Sequence, residues 1–305
     1  MLLDKPLGLS SNQALQKVKW LLRAEKAGHT GTLDPLATGV LPLCFGAATK
    51  FSQQHLDADK VYETTVRLGR KTSTGDAEGE VLAERPVTCT LGQVVEVLDR
   101  FMGPIRQVPP MHSALKKDGK ALYEYAREGE TVEREPRDVV IHELDMLDVQ
   151  LQGDAPFLRL RVACSKGTYI RTLGEDIAEA LGCGGHLTAL RRVQTGPFEQ
   201  GQCLTLEQLE AMAEEERLAA LQPIDCLLAG HSAVTLDADN AGRFLSGLRR
   251  RGAWPDAAQV RVYGEQPHTL LGTAHIQAGE LIPTRLLSPL DIQQVLESSP
   301  VTMPA

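Results

Sequence analysis

The chain has 305 residues, of which 42% are hydrophobic and 24% charged, the composition of an ordinary globular protein. Its formal net charge of −8 excludes a protein that is basic as a whole, although residues 1–60 carry seven Lys/Arg against five Asp/Glu, a local balance of +2. The absence of a secretory leader pattern and of an apolar run of about 18 residues predicts a cytoplasmic protein without a membrane partner.

The first sixty residues predict a strand, a helix and a long loop. Met1–Asp4 is typical of the end of a strand, and Lys5–Gly8 of a turn. Ser11 can cap a helix from about Asn12 to Ala24, which has one apolar face. Residues 28–42 are rich in Gly, Thr and Pro without helical or strand periodicity, so we expect a long structured loop there.

The middle of the chain predicts a sheet interrupted by one excursion. Expected elements are a strand at Lys60–Leu68, a turn at Thr72–Gly79, a helix at Leu91–Met102, and strands at about 138–150 and at Leu158–Cys164. Residues 105–137 mix Pro, Lys and Arg around a short helical stretch, Ala121–Arg127. This composition indicates an excursion from the core.

The rest of the chain predicts two further helices and then a region of short strands and turns. The first helix follows the turn Ser165–Gly167 and ends near Gly182, and the second spans Leu206–Ala213. After Gly230 short strands alternate with Gly/Pro turns; candidate strands are Val260–Val262, Leu270–Leu271 and Arg285–Leu287. We therefore predict an α+β fold with a mixed or antiparallel sheet over residues 1–230, a small β-barrel over 231–296, and a disordered tail from Glu297.

The cysteines predict neither a zinc site nor disulfides. The six cysteines lie at least 19 residues apart, so a C-x-x-C pattern is missing. We expect reduced, structural thiols and no metal or cofactor.

Asp34 is the residue that raises the question of chemistry. It lies in Gly28–Gly39, a loop whose residues could fix a carboxylate near backbone donors, although Asp-Pro is also common turn punctuation. The neighbouring sequence offers neither a second carboxylate nor a His/Cys set. A lone ionised aspartate suits nucleophilic attack or proton abstraction at an electron-poor carbon.

Five ordered segments resemble the TruB-type pseudouridine synthases. They are Leu2–Ser11, the Asp34 segment Gly28–Gly39, Lys60–Tyr62, Ser165–Thr172, and Leu190–Phe198 with Arg192 and Gly196. The resemblance extends over residues 2–198. It implies the fold of that family, with a PUA-like RNA-binding domain in the place of the small β-barrel.

The resemblance also implies roles for individual residues. Asp34 would attack C1′ of the target ribose or remove its 2′ proton, and both routes stay open. Tyr62 would stack on the uracil, with a role in handling the proton lost from C5 left open, and Arg171 would pair with Asp34. The remaining active-site support would come from His29, Tyr169, Lys5 and Leu190. The implied reaction is isomerisation of a tRNA uridine, at position 55 in the TΨC arm, to pseudouridine by a monomer without a cofactor.

The excursion at 105–137 resembles the family's RNA-gripping insertion. The residues expected to bind RNA are Lys116, Lys117, Lys120, Arg127 and Arg192. His112 stands where tyrosine is also common in the family, which puts the local RNA contacts in question. The family usually carries a short leader before its first strand, whereas this sequence begins within that strand; an upstream start would change catalysis little.

Three other functions compete with this interpretation. Ser113 and Lys116 fit the S-x-x-K pattern of serine hydrolases, but the partner motifs of those enzymes are missing. A non-catalytic RNA-binding protein would not need Asp34, Tyr62 and Arg171 together. A guide-dependent rRNA synthase of the dyskerin kind is disfavoured by the insertion, which resembles the stand-alone enzymes.

Overall fold

A nine-stranded mixed sheet dominates the computed structural model, which describes residues 1–298. Seven strands lie side by side in the order β1 (Leu2–Lys5), β3 (Ala37–Phe45), β12 (Gly185–Thr195), β4 (Lys60–Leu68), β11 (Phe157–Cys164), β10 (Arg137–Gln150) and β7 (Gly103–Gln107). The short strands β2 (Ala27–His29) and β13 (Phe198–Glu199) pair with β3 and β12. Strands β3 and β12 run parallel and the other pairs of this sheet are antiparallel, as the α+β prediction requires.

Strand β4 shows how the sequence produces this sheet. Its side chains alternate between buried and half-buried, and the buried set includes Lys60, Tyr62 and Val66. A period of two residues places alternate side chains on opposite faces, so Tyr62 faces the main core. The predicted strand at 60–68 is therefore confirmed.

Four helices pack into the main core beside the sheet: α1 (Ser11–Leu21), α3 (Leu91–Arg100), α5 (Ile170–Ala180) and α6 (Leu206–Ala211). Three short helices, α2 (Ser52–Leu56), α4 (Leu122–Arg127) and α7 (Glu214–Ala219), lie elsewhere in this part of the chain. In α5, Leu173 and Ile177 are buried in the main core. Gly174 lets α5 lie close to the sheet, because a Cβ there would come within 2.5 Å of the Leu187 side chain.

The structure corrects the boundaries of α1. Its N-cap is Ser10, whose hydroxyl accepts a hydrogen bond from the Gln13 amide at 3.2 Å, so the prediction that Ser11 caps the helix is wrong. The helix ends at Leu21 instead of Ala24, since Arg23 has a left-handed backbone conformation with φ 49°.

The long loop predicted over 28–42 is also wrong at both ends. Strand β2 reaches His29 and β3 already begins at Ala37, which leaves residues 30–36 as the connection. Seven of the nine residues of β3 are buried. A strand buried on both faces lacks the alternating polarity by which sequence reveals a strand.

The excursion predicted at 105–137 leaves the sheet between two paired strands. Gln107 of β7 lies opposite Arg137 of β10, so residues 108–136 depart and return at neighbouring positions. This segment, here called the insertion, contains α4 and a hairpin of β8 (Lys116–Lys117) and β9 (Lys120–Ala121). A second hairpin, β5 (Arg70–Thr72) with β6 (Val81–Glu84), encloses the predicted turn at 72–79.

The C-terminal part forms its own five-stranded curled sheet. Its strands lie in the order β14 (Ser232–Leu236), β16 (Ala257–Gly264), β17 (Thr269–Gln277), β18 (Glu280–Leu286) and β15 (Arg250–Arg251), with helices α8 (Ala238–Leu245) and α9 (Pro289–Ser298). A shared apolar cluster joins it to the segment that follows β3; Phe51 packs there with Leu228, Tyr263 and Leu270.

Three further predictions are a disordered tail from Glu297, free cysteine thiols, and the lack of an apolar run long enough to cross a membrane. Because α9 includes Glu297 and Ser298, a disordered tail cannot begin at Glu297; the rest of that prediction falls on residues 299–305, outside the described residues. All six cysteines are free, as expected. Within residues 1–298, each helix is too short or too polar to cross a membrane.

Candidate active site

The loop that carries Asp34 is held by hydrogen bonds to the turn before α1 and to the first residue of α1. The buried Ser11 hydroxyl accepts a hydrogen bond from the Leu33 amide at 2.7 Å and donates one to the Leu33 carbonyl at 3.0 Å. The Gly8 amide donates to the Pro35 carbonyl at 2.8 Å. Asp34 is therefore fixed on both sides by groups that are more than twenty residues away in sequence.

Arg192 supports the same loop from inside the sheet. It is 1% exposed, and its guanidinium donates to the Val40 carbonyl at 2.7 Å and to the Gly31 carbonyl at 3.3 Å. Gly39 (φ +101°) is required beside it, since a Cβ would lie 2.2 Å from the Arg192 carbonyl oxygen. A phosphate cannot reach a guanidinium enclosed in this way, so the structure moves Arg192 from the predicted RNA-binding residues to the interior.

Arg171 connects three separate segments at its guanidinium. Nη2 lies 2.9 Å from Asp34 Oδ2 and donates to the His112 carbonyl at 2.6 Å, and Nη1 donates to the Thr74 carbonyl at 3.1 Å. The predicted pairing of Asp34 with Arg171 is thus present. Because Arg171 lies in the first turn of α5 and is 6% exposed, its position is set by the core.

Asp76 is a residue that the sequence analysis missed. Its Oδ2 lies 3.7 Å from Arg171 Nη1, on the same guanidinium that holds Asp34. Its Oδ1 accepts hydrogen bonds from the Thr74 hydroxyl at 2.5 Å and from the Glu78 amide at 3.1 Å. The interpretation of Asp34 as a lone carboxylate is therefore wrong. In the folded chain, the turn at 72–79 brings a second, buried aspartate to Arg171, the counter-ion of Asp34.

The electrostatics around Asp34 are a balance between burial and positive charge. The side chain keeps 38% of its surface exposed, so a substrate can reach it. Burial by the surrounding protein raises the pKa of Asp34, Arg171 opposes this rise, and the negative charge of Asp76 adds to it. The ionised carboxylate consequently depends on Arg171.

Lys5 is a second positive group near Asp34. It is fully buried, and its ammonium donates to the carbonyls of Pro6 and Leu9. Burial lowers the pKa of Lys5 to about 8, against the opposing effect of Asp34. Lys5 therefore shapes the turn before α1 and adds positive charge to the site.

Tyr62 lies across the site on the central strand. It pairs in register with Arg192 of β12, and its hydroxyl is within hydrogen-bonding reach of that guanidinium. Burial raises the pKa of Tyr62, with Arg192 opposing, so the phenol stays protonated. A phenol that stays protonated cannot act as a free base, and the ring itself is buried.

Tyr169 is positioned by a buried amide on β7. The Tyr169 amide donates to Gln107 Oε1 at 3.0 Å, and Gln107 Nε2 donates back to the Tyr169 carbonyl at 3.3 Å. Burial raises the pKa of Tyr169, and both Arg171 and Asp34 act on it, which places Tyr169 near the ion pair. Gln107 is another supporting residue that the sequence did not reveal.

Leu190 and His29 lie on opposite borders of the Asp34 loop. Leu190 is paired with Ala37 of β3 and Thr64 of β4 and packs partly buried against the main core. His29 ends β2, and its buried Nδ1 atom has no hydrogen-bond partner among the described residues. Burial, with a contribution from Arg192, lowers the pKa of His29, so its imidazole is neutral.

Three family models match the chain in succession. The N-terminal domain of the TruB family pseudouridylate synthases matches residues 19–170, the tRNA pseudouridylate synthase B C-terminal domain matches residues 171–229, and the C-terminal model of pseudouridine synthase II TruB matches residues 232–287. A relative from Verminephrobacter eiseniae, "tRNA pseudouridine synthase B", is 62% identical over 98% of this chain and 92% of its own length. The chain belongs to the TruB family. It is a pseudouridine synthase.

Further relatives and solved structures agree with this membership. Proteins of the same name from Ralstonia pickettii and Cupriavidus pinatubonensis are 61% and 60% identical over 94% of this chain and 93% of their own lengths. A chain of a Cbf5-Nop10-Gar1 complex superimposes with a TM-score of 0.71 at 24% identity, covering 96% of this chain and 85% of that one. At that identity the structural match shows the pseudouridine synthase fold, which confirms the predicted fold class.

In this TruB-family protein the insertion carries exposed positive charge. Lys116 and Arg127 are exposed, and the Arg127 guanidinium lies 5.2 Å from the Tyr123 ring. Lys117 donates to the Glu133 carbonyl at 2.8 Å, and Lys120 pairs with Glu128 while lying 4.4 Å from the Tyr125 ring. Four of the five predicted RNA-binding residues thus lie together on the insertion, and Lys116 is the one with the fewest contacts of its own.

Two rival sites can be compared with this geometry. Ser113 is buried and its hydroxyl has no hydrogen-bond partner among the described residues, whereas Lys116 is exposed, so a serine-hydrolase pair is not assembled. Within residues 1–298, His, Cys, Asp and Glu side chains form no group of three or more that could hold a metal ion.

Proposed function

We propose that this protein isomerises the uridine at position 55, in the TΨC arm of tRNA, to pseudouridine, with Asp34 as the reacting carboxylate. The observation that carries the proposal is an accessible Asp34 carboxylate held at 2.9 Å by the buried Arg171 guanidinium. The name of the TruB relatives, tRNA pseudouridine synthase B, supports tRNA as the substrate. The curated names do not specify the arm, so the TΨC site rests on the resemblance of the motifs and the insertion.

The reaction breaks one bond and forms another at the same carbon. Asp34 either attacks C1′ and displaces N1 of the uracil, or removes the 2′ proton so that a glycal forms as N1 leaves. The uracil then turns and C5 bonds to C1′: in the first route the C1′–Asp34 bond breaks, and in the second the 2′ proton returns from Asp34. The proton on C5 is lost and N1 gains one. Atoms and charges balance without an external reactant, because substrate and product are isomers.

The surrounding residues supply what each route requires. Arg171 keeps Asp34 ionised and holds its plane, which matters because burial alone would favour the protonated acid. Tyr62 can stack on the freed uracil and keep it in the pocket; such contacts are worth about 1–3 kcal/mol per base. The raised pKa of Tyr62 favours this stacking role over that of a base for the C5 proton.

RNA must deliver the uridine in an extruded form. A base inside a folded loop has to leave its stack before Asp34 can approach the ribose, at a cost of a few kcal/mol. Exposed Lys116 and Arg127 on the insertion can contact phosphates and so fix the register of the RNA. Arg171 also holds the His112 carbonyl at the base of the insertion, which links RNA gripping to the position of Asp34. We propose that a monomer does this without a guide RNA.

Tritium release tests the proposal directly. The purified protein, without guide RNA, is incubated with a TΨC stem-loop carrying 5-tritiated uridine, and with a matched stem-loop whose target uridine is cytidine. We expect release into water from the first RNA only, and none from either RNA with the Asp34→Asn protein. Absence of release from the uridine stem-loop, or release that requires a guide RNA and further proteins, would overturn the proposal.

A further inference from the structure

The turn before α1 presents an apolar side chain to solvent next to the active site. Leu7 is 68% exposed, among the most exposed large hydrophobic residues of the described chain. Single exposed apolar residues are common on protein surfaces and need no function by themselves. Leu7 differs from other exposed apolar residues because it lies on a rigid turn next to the active site.

The turn that carries Leu7 is rigid. The buried Lys5 ammonium binds the carbonyls of Pro6 and Leu9, on either side of Leu7. Gly8 adopts φ +83°, a conformation that favours glycine, and its amide donates to the Pro35 carbonyl at 2.8 Å. Leu7 is therefore held outward on a turn that is hydrogen-bonded to the residue after Asp34.

The geometry places Leu7 within reach of a nucleotide next to the target. Adding standard backbone distances to the Gly8–Pro35 hydrogen bond limits the separation of the Leu7 and Asp34 Cα atoms to about 12 Å. Stacked bases are spaced by about 3.4 Å along a strand. When the ribose of the target touches Asp34, the neighbouring bases therefore lie within the range of distances over which Leu7 can contact them.

We propose that Leu7 is an apolar wedge that contacts the base flanking the target uridine and hinders the uridine from restacking. Apolar side chains inserted beside base steps serve this purpose in other nucleic-acid complexes. A rigid turn suits the role because little conformational freedom is lost when the RNA binds. This inference rests on the proposed function and adds a positioning residue to it.

A comparison of three substrates tests the wedge. One RNA is the intact TΨC stem-loop, and in the other two the base that flanks the target on the 5′ side or on the 3′ side is replaced by an abasic residue. Leu7→Ala should lower the single-turnover rate about tenfold on the intact stem-loop, because the alanine no longer offsets part of the free energy needed to extrude the uridine. The effect should disappear on one of the two abasic RNAs, because the base that Leu7 contacts is then missing.

Matched variants distinguish loss of the wedge from the general effects of removing an exposed leucine or of destabilising the protein. Leu218→Ala removes a leucine that is 49% exposed on α7 and should not change the rate on any RNA. Leu7→Met should restore most of the rate, and the melting temperature of Leu7→Ala should equal that of the wild type. Equal rates for Leu7→Ala and wild type on the intact stem-loop, or the same loss on all RNAs, would overturn the wedge. If the wild type itself releases no tritium, the proposed function fails, whatever Leu7 does.

Discussion

Charged side chains lie in opposite environments in two regions: the largely buried network of Asp34, Arg171 and Asp76, here called the Asp34 junction, and the exposed insertion. At the junction, Arg171 is 6% exposed and lies 2.9 Å from Asp34 and 3.7 Å from Asp76. On the insertion, Lys116 and Arg127 are exposed, and Lys120 forms a surface pair with Glu128. The first arrangement is buried and tied to backbone carbonyls, whereas the second is open to solvent.

Under the proposed function, this difference would assign the reaction to the buried charges and the binding of RNA to the exposed ones. Removing one partner of a buried ion pair leaves an uncompensated charge and disturbs the geometry, while a surface pair contributes little by itself. Exposed lysines and arginines, in contrast, remain free to neutralise phosphates. We therefore expect junction variants to change the rate of the chemical step and insertion variants to change RNA affinity.

Asp34→Asn should have the largest effect. The amide cannot act as a nucleophile or a base, so the single-turnover rate should fall at least about 10³-fold. RNA binding, measured by filter retention, should stay within a few-fold of the wild type. Asp57→Asn is the control, because Asp57 is exposed and pairs only with Lys166 at the surface among the ion pairs of the described chain. A rate loss in Asp57→Asn as large as that in Asp34→Asn would break the comparison.

Variants of Arg171 and Asp76 should shift the pH dependence in opposite directions. Arg171 lowers the pKa of Asp34 and Asp76 raises it. The rate should fall at low pH as Asp34 is protonated, and Arg171→Met should move this acidic limb to higher pH, whereas Asp76→Asn should move it to lower pH. Both variants should also lose about 10²-fold at the optimum, since the carboxylate is no longer oriented.

Arg171→Lys keeps the positive charge and serves as the control for orientation. It should leave the acidic limb closer to that of the wild type than Arg171→Met does, yet remain slow, because an ammonium cannot replace a planar fork. Shifts in the same direction for Arg171→Met and Asp76→Asn would contradict the three-residue network.

Two neighbouring serines allow a smaller, matched test. Ser11→Ala removes both hydrogen bonds to Leu33, which should lower the rate about five- to tenfold, corresponding to about 1–1.5 kcal/mol. Ser10→Ala removes the cap of α1 instead and should cost about 1 kcal/mol of stability, measured by urea unfolding, with little change in rate. The reverse pattern would show that Ser11 does not position the Asp34 loop.

The smallest effects should come from single lysines of the insertion. Lys116→Gln should weaken RNA binding a few-fold and reduce the slope of log affinity against log salt by about 0.7–0.9, the value for one phosphate contact. Lys120→Gln should change both less, since Lys120 is already engaged by Glu128 and the Tyr125 ring. Binding titrations at several salt concentrations measure this; an unchanged slope for Lys116→Gln would remove it from the RNA surface.

Sequence reasoning succeeded where a pattern is local. The alternation in β11, the apolar face of α5 and the composition of the insertion each depend on residues close together in the chain, and all three elements were predicted. The pairing of Asp34 with Arg171 came from the resemblance of two motifs. Strand β12 was recognised only as a motif, because its arginines and bulges hide a regular alternation.

The missed residues share a physical cause. Asp76 lies in a Gly/Asp turn that has no periodicity, and only the packing of α5 brings Arg171 against it. Gln107 and Ser11 act through hydrogen bonds to Tyr169 and Leu33, which are distant in sequence. Arg192 looked like a surface cation by residue type, but two backbone carbonyls satisfy it inside the protein.

The sequence by itself was enough to predict the family and the fold class, because those follow from residue types in fixed order, and it put forward Asp34, Tyr62 and Arg171 as candidate site residues. Only the tertiary structure decided which charges are buried and which are exposed. That division depends on strands and turns far apart in the chain meeting around one guanidinium, and burial there sets both the pKa of Asp34 and its orientation. Asp34 is thus part of a network with Arg171 and Asp76, and the insertion begins at the same network through His112.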